Sequence, residues 1–152
     1  MLKSGDKVPS FSLELDTGET ITHNTFKNGR SIVYFYPKDD TPGCTKEACA
    51  FRDRFSVFKE KGVQIYGVSK DSIDSHLKFK SKYSLPFPLI SDPDLSLAKA
   101  FGAWGEKNMY GKKSFGILRS TFVVGPSGTI EKVYPKVKPE EHADQILKDL
   151  AL

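Results

Sequence analysis

A chain of 152 residues, 38 % of them hydrophobic, is long enough for one ordinary domain with a real core. The net charge of +4 comes from lysines interleaved with acids, without an arginine-rich block, which reads as a solvated surface and argues against a nucleic-acid partner. No stretch approaches the ~18 apolar residues of a membrane span, and the beginning, MLKSGDKVPSFSLEL, lacks the apolar segment of a secretory signal, so the expectation is a soluble cytoplasmic protein with no membrane association.

Taken in order, Phe11, Leu13 and Leu15 alternate as an opening strand, with a hairpin turn at residues 16–19 before Thr20, Ile21 and Thr22. Residues 32–36, IVYFY, form a buried strand that Pro37 ends, because proline cannot donate to the ladder. After a polar loop, Cys44 opens a helix whose Ala48, Phe51, Phe55 and Phe58 recur at steps of three and four, and Gly62 closes it. Residues 63–68 read as a second buried strand. Asp71 or Ser72 caps a helix through Lys82 that carries Ile73, Leu77 and Phe79 inward. A short strand over 87–90 precedes a helix begun by Asp92, Pro93 and Asp94 that buries Leu95, Ala98 and Phe101. Residues 103–114 are the least regular part, with Trp104 in a mobile loop. A strand over 117–124, a turn, and a strand over 129–134 follow. Pro139 opens a closing helix with Ile146, Leu147 and Leu150 on one side. Strands alternating with helices, plus one hairpin, predict a single α/β domain, residues 1–152, with a central mixed sheet covered by helices.

The stretch that carries chemistry is YPKDDTPGCTKEACAFRD, residues 36–53. Cys44 lies in a first helical turn, where free backbone N–H groups act like about half a positive charge. Such positions favour the thiolate, the reactive form of cysteine. A buried structural cysteine is the competing reading. Cys49 follows five residues on. In an intact helix the two Cα atoms stand roughly 8.7 Å apart, beyond the ~7 Å that a disulfide tolerates. Either the two never pair, or pairing requires the helix start to unwind. With only two cysteines at a non-chelating spacing, and His23, His76 and His142 scattered, no metal site is expected.

The spacing Pro37-x-x-x-Thr41-x-x-Cys44 resembles the peroxiredoxin active-site motif, and the longer string is similar to the bacterioferritin comigratory protein, or peroxiredoxin Q, branch. The likeness continues through GVSKDS, FPLISDPD, WGEKNMYG and GILRSTFVV. It implies a thioredoxin-like fold and an antioxidant thiol peroxidase that acts on hydrogen peroxide and organic hydroperoxides without a cofactor. In that reading Cys44 is the peroxidatic nucleophile. Thr41 bonds sulfur and peroxide, Arg119 donates to both, and Pro37 shields the sulfur. The backbone N–H groups of Gly43 and Cys44 complete the pocket, and Glu47 helps to hold the arginine. The resemblance also implies a redox disulfide between Cys44 and the resolving Cys49, re-reduced by a thioredoxin-like dithiol, within a monomer.

Magnitudes say where the catalysis must come from. A cysteine with pKa about 8.5 is roughly 3 % thiolate at pH 7. Full ionisation therefore gains only about thirtyfold, or about 2 kcal/mol. The larger contribution has to come from donors aimed at the peroxide oxygens as charge develops. A disulfide reductase on the same fold is disfavoured, because the two cysteines are not spaced as Cys-x-x-Cys.

Overall fold

The computed structural model describes Met1–Leu152, except for the side chain of Met109. In chain order the elements are β1 (Ser12–Leu15), β2 (Thr20–Thr22), a 3-10 turn (His23–Asn28), β3 (Ser31–Phe35), α1 (Pro42–Glu60), β4 (Gln64–Ser69), α2 (Ile73–Tyr83), β5 (Leu89–Ser91), α3 (Ser96–Phe101), β6 (Trp104–Met109), β7 (Lys112–Ile117), β8 (Ser120–Val124), β9 (Ile130–Tyr134) and α4 (His142–Asp149). Seven strands form one sheet in the order β2-β1-β5-β4-β3-β8-β9. Strands β3, β4 and β5 run parallel, and β1, β2, β8 and β9 complete the sheet through antiparallel pairings. The mixed sheet expected from the alternation of elements is thus present, with β3 near its middle.

Every residue of β3 is buried, because the strand has a core on each face. Val33 and Phe35 point into one cluster with Phe101, Phe122 and the 3-10 turn's Phe26. Ile32, Tyr34 and Tyr36 point into the other, with Phe51 and Phe58 of α1, Phe79 of α2 and Ile146 of α4. The Tyr34 ring stacks on Phe51 with centroids 4.8 Å apart, which seats α1 on the strand. Directly below, Gly67 leaves the space that this ring occupies. A Cβ there would come within 2.9 Å of the Tyr34 ring and 2.8 Å of Leu89.

Several sequence expectations are corrected. The irregular stretch after Ala103 is a regular two-stranded hairpin, β6 with β7, standing apart from the main sheet. Its Gly105 and Gly116 face each other and its charged residues hid the alternation that would mark a strand. The expected long strand over 117–124 is broken at Leu118 and Arg119, between β7 and β8. In α2 the inward residues are His76 and Phe79, while Leu77 is 46 % exposed. Leu95 is the left-handed cap of α3, which buries Leu97 with Ala98 and Phe101. Asp92 caps that helix by accepting the backbone N–H of Leu97 at 3.1 Å and of Ala98 at 2.9 Å. Helix α4 begins three residues after Pro139, at His142.

Candidate active site

The loop from β3 into α1 delivers the reactive stretch. Thr41 is the N-cap of α1 in an extended conformation, and Pro42, which has no N–H to leave unpaired, takes the first helical position. The first intrahelical bond runs from the Thr45 N–H to the Thr41 carbonyl at 2.8 Å. Cys44 therefore sits on the first turn, within the field of the free N–H groups at the helix start. Its side chain turns inward and is 2 % exposed.

Arg119, 75 residues further along, lies between β7 and β8. Its Nη2 donates to Cys44 Sγ at 3.2 Å, and its Nη1 donates to Glu47 Oε1 at 2.7 Å. One planar guanidinium thus spans the sulfur and a carboxylate on the same helix face, three residues apart. Gly43 makes the approach possible: a Cβ there would stand 3.2 Å from Nη2, tighter than an ordinary contact. Burial opposes the Arg119 charge, but Glu47 and Cys44 outweigh it and raise the guanidinium pKa. Glu47 is wholly buried, and burial pushes its carboxyl up to about 7 although the arginine pulls it down. Among the described residues its Oε2 has no hydrogen-bond partner, and neither has the buried hydroxyl of Tyr34.

The other expected residues are distributed as follows. Thr41 is half-buried, and its hydroxyl donates to the Lys38 carbonyl at 2.8 Å instead of to the sulfur. That bond leaves the hydroxyl oxygen free to accept a proton donor from the cavity side. Pro37 is half-buried at the end of β3. Cys49 is a free thiol, half-buried, on a different side of α1 from Cys44. It lines a crevice of about 290 Å³ between α1 and α4, together with Lys46, Arg54, Glu140 and Asp144. Lys46 bridges to Glu140 at 2.9 Å and Arg54 to Asp144 at 2.8 Å, so ion pairs tie α1 to the α4 region around this cysteine.

Four groups near the site have no signal in the sequence pattern. Lys107 of β6 lies half-buried across Gly116, with its Cε 3.4 Å from where a Cβ would be. Burial lowers its pKa, the Arg119 charge lowers it further and Cys44 raises it, which places this second cation in the field of the same site. His142 is buried at the start of α4, with Nε2 2.7 Å from Thr121 Oγ1 and its ring edge-on to Phe51. Desolvation pulls it down to about 4, so it is neutral at pH 7. His76 and Asp39 form a wholly internal pair at 2.7 Å. Spatial, not sequential, proximity makes all four, and an apolar periodicity cannot report it.

The three histidines are scattered, as the sequence suggests, but one of them has two acidic neighbours. The ligand-type atoms of Asp39, Asp71 and His76 lie within 4.8 Å of one another. However, both His76 nitrogens face acceptors, Asp39 Oδ2 and the Ile90 carbonyl at 2.9 Å. Each must carry a proton, leaving no lone pair for a cation.

A mixed sheet with a helix-start cysteine beside a half-buried arginine defines a thioredoxin-fold thiol enzyme. The model of the AhpC/TSA family matches residues 4–133. Peroxiredoxin Bcp of Bacillus subtilis is 45 % identical over 153 residues, spanning 99 % of this chain and 98 % of its own. Peroxiredoxin Bcp of Escherichia coli is 42 % identical over 146 residues, 96 % of this chain and 94 % of its own. Among solved structures, the bacterioferritin comigratory protein of Xanthomonas campestris, described for its alkyl peroxide reduction, matches with a TM-score of 0.87 at 42 % identity. That match covers 93 % of this chain and 90 % of the other. The chain belongs to the AhpC/TSA family, in its bacterioferritin comigratory protein or peroxiredoxin Q branch, and is a thiol peroxidase.

Proposed function

We propose that this peroxidase reduces hydrogen peroxide and organic hydroperoxides through Cys44, with Cys49 resolving. The Cys44 thiolate attacks the terminal oxygen of the hydroperoxide. An S–O bond forms, the O–O bond breaks, and the electron pair leaves on an alkoxide or hydroxide that takes a proton. Arg119, already 3.2 Å from the sulfur, is the observation that carries this reading. A charged donor held at the reaction centre needs no reorganisation as charge moves from sulfur to oxygen. Thr41, its proton engaged with Lys38, accepts the hydroperoxide O–H. Pro37 presents no competing N–H, and the Gly43 and Cys44 backbone N–H groups complete the pocket. Glu47 fixes the guanidinium plane.

Cys44 is left as a sulfenic acid. Attack by Cys49 forms the S–S bond and releases water. Because both cysteines belong to one continuous helix, this step follows opening of the first turn and a half of α1. A thioredoxin-like dithiol then takes up the oxidising equivalents, in the reducing cytoplasm where free thiols persist. One domain and one chain suffice for the cycle, so a monomer is the working unit.

The test is peroxide-dependent NADPH consumption with thioredoxin and its reductase. Wild type turns over, Cys44→Ser has no activity, and Cys49→Ser completes one oxidation but is not recycled by thioredoxin. Full turnover in Cys44→Ser would sink the assignment. Undiminished thioredoxin-supported turnover in Cys49→Ser would remove Cys49 from the cycle.

A further inference from the structure

His76 is buried and unused by the chemistry above, its two acceptors favour the positively charged ring, and one of them belongs to the loop in front of the reactive cysteine. Its Nδ1 donates to Asp39 Oδ2 at 2.7 Å, and its Nε2 donates to the Ile90 carbonyl of β5 at 2.9 Å. Burial opposes this charge, but the Asp39 hydrogen bond and charge and the Ile90 carbonyl outweigh it and raise the imidazole pKa. Asp39 is filled from every side: Tyr36 Oη donates to its Oδ1 at 2.6 Å, and Ser75 Oγ to its Oδ2 at 2.8 Å. Its backbone N–H donates to Asp71 Oδ2 at 2.8 Å.

Asp39 occupies the middle of residues 37–41, two after Pro37 and two before Thr41. The next residue, Asp40, is held at a φ of +56°, a left-handed conformation that non-glycine residues adopt reluctantly. Such a conformation persists only where surrounding contacts over-determine it. Here the contacts come from α2, since Lys82 Nζ and Tyr83 Oη reach the Asp40 carboxylate at 2.8 Å each. His76, on α2, bonds both the loop through Asp39 and β5 through the Ile90 carbonyl.

We infer that His76, acting through Asp39, is a positioning residue that holds the 37–41 loop in the shape that receives the hydroperoxide. It touches neither sulfur nor substrate. Its contribution is to keep Thr41 and Pro37 in register with Arg119 across the pocket. This rests on the peroxidase reading and deepens it by adding a support on the far side of the loop. Misplacing a reacting arrangement by about 1 Å can cost about 100-fold.

The experiment compares two reactions of the same reduced, full-length protein: oxidation of Cys44 by hydrogen peroxide and alkylation of Cys44 by iodoacetamide. Both need the thiolate, but only the first needs the peroxide pocket. In His76→Gln and Asp39→Asn the peroxide rate constant falls about 10- to 100-fold, while alkylation stays within about threefold. His76→Asn, which can still place an N–H toward Asp39, falls less than His76→Gln. The double variant His76→Gln/Asp39→Asn is no slower than the worse single one, because the two act as one unit. Should His76→Gln fail to fold, the near-isosteric Asp39→Asn carries the test. An unchanged peroxide rate in Asp39→Asn overturns the inference. So does an equal fall in both reactions, which would mark a lost thiolate or a damaged fold. Neither result touches the peroxidase assignment, which fails if wild-type Cys44 reacts with peroxide no faster than an ordinary thiol.

Discussion

The chain just before Cys44 and the chain just after it are held in opposite ways. Before it, residues 37–41 are pinned by buried or partly buried hydrogen bonds from Tyr36, Asp71 and the α2 residues Ser75 and His76, centred on Asp39, itself 7 % exposed. After it, the polar face of residues 45–49 is tied across the crevice by Lys46–Glu140, whose side chains are 58 % and 68 % exposed. Buried networks are costly to break, whereas exposed ion pairs contribute ~0–1 kcal/mol. The lesson is a division of labour along thirteen residues of backbone, 37–49. The side that shapes the peroxide pocket is stiff, whereas the side that would give way in the proposed disulfide is held on its inner face by Glu47 and Arg119 and only weakly on its outer one.

The strongest challenge to this contrast is removal of the element common to both sides. Arg119→Met deletes the donor to Cys44 and leaves Glu47 buried without its partner. The rate of Cys44 oxidation should fall about 10²- to 10³-fold, the cost of a lost oxyanion-type donor, as read by quenched mass spectrometry. A loss below tenfold would mean that the stiff loop alone organises the pocket.

Acid should attack the yielding side. His142 is neutral and buried with a pKa near 4, below its ordinary 6.5. Its folded-state value is depressed, so its contribution is complete above pH 6.5 and disappears as pH falls toward 4. The loss is on the order of 3 kcal/mol. Urea midpoints should trace that decline, and His142→Asn should flatten it. Because His142 seats α4 against Phe51, amide exchange over residues 45–49 should accelerate in the same range while the Asp39 loop stays protected.

Glu47 gives the opposite slope. Its folded pKa, about 7, is raised from 4.5, so stability is complete below pH 4.5 and declines as pH rises through 7. Glu47→Gln should abolish this neutral-range decline in a urea series, whatever it costs in arginine placement. The smallest effect belongs to the exposed fastening. Glu140→Gln should speed disulfide formation after a peroxide pulse by at most about fivefold, the equivalent of a surface pair's ~1 kcal/mol. A larger effect would show that this ion pair, and not the helix, is the main barrier.

Much of this was readable in advance because short-range rules apply to it. Strand β3 and the inward stripe of Ala48, Phe51 and Phe58 follow from local propensity and periodicity, although the helix opens at Pro42, two residues before the expected Cys44. The pairing of Cys44 with Arg119 was legible only through the family motif, since nothing local connects residues 75 positions apart. The hairpin β6–β7 escaped because its paired glycines and lysines carry no apolar alternation. His76 escaped for a related reason. A helical pattern counts apolar residues, and so it turned Leu77 inward in place of the histidine that Asp39, 37 residues earlier, draws into the core.

The bare α-carbon of Gly67 has a consequence for the thickness of the molecule between sheet and helix. With nothing projecting from that point of β4, the Tyr34 ring can lie low, and Phe51 settles upon it with α1 above. One added methyl would act as a shim, lifting the helix by a fraction of an ångström against a guanidinium anchored from the segment between β7 and β8. The distance between sulfur and arginine is thus gauged partly by an atom that is not there, on the opposite side of the aromatic layer.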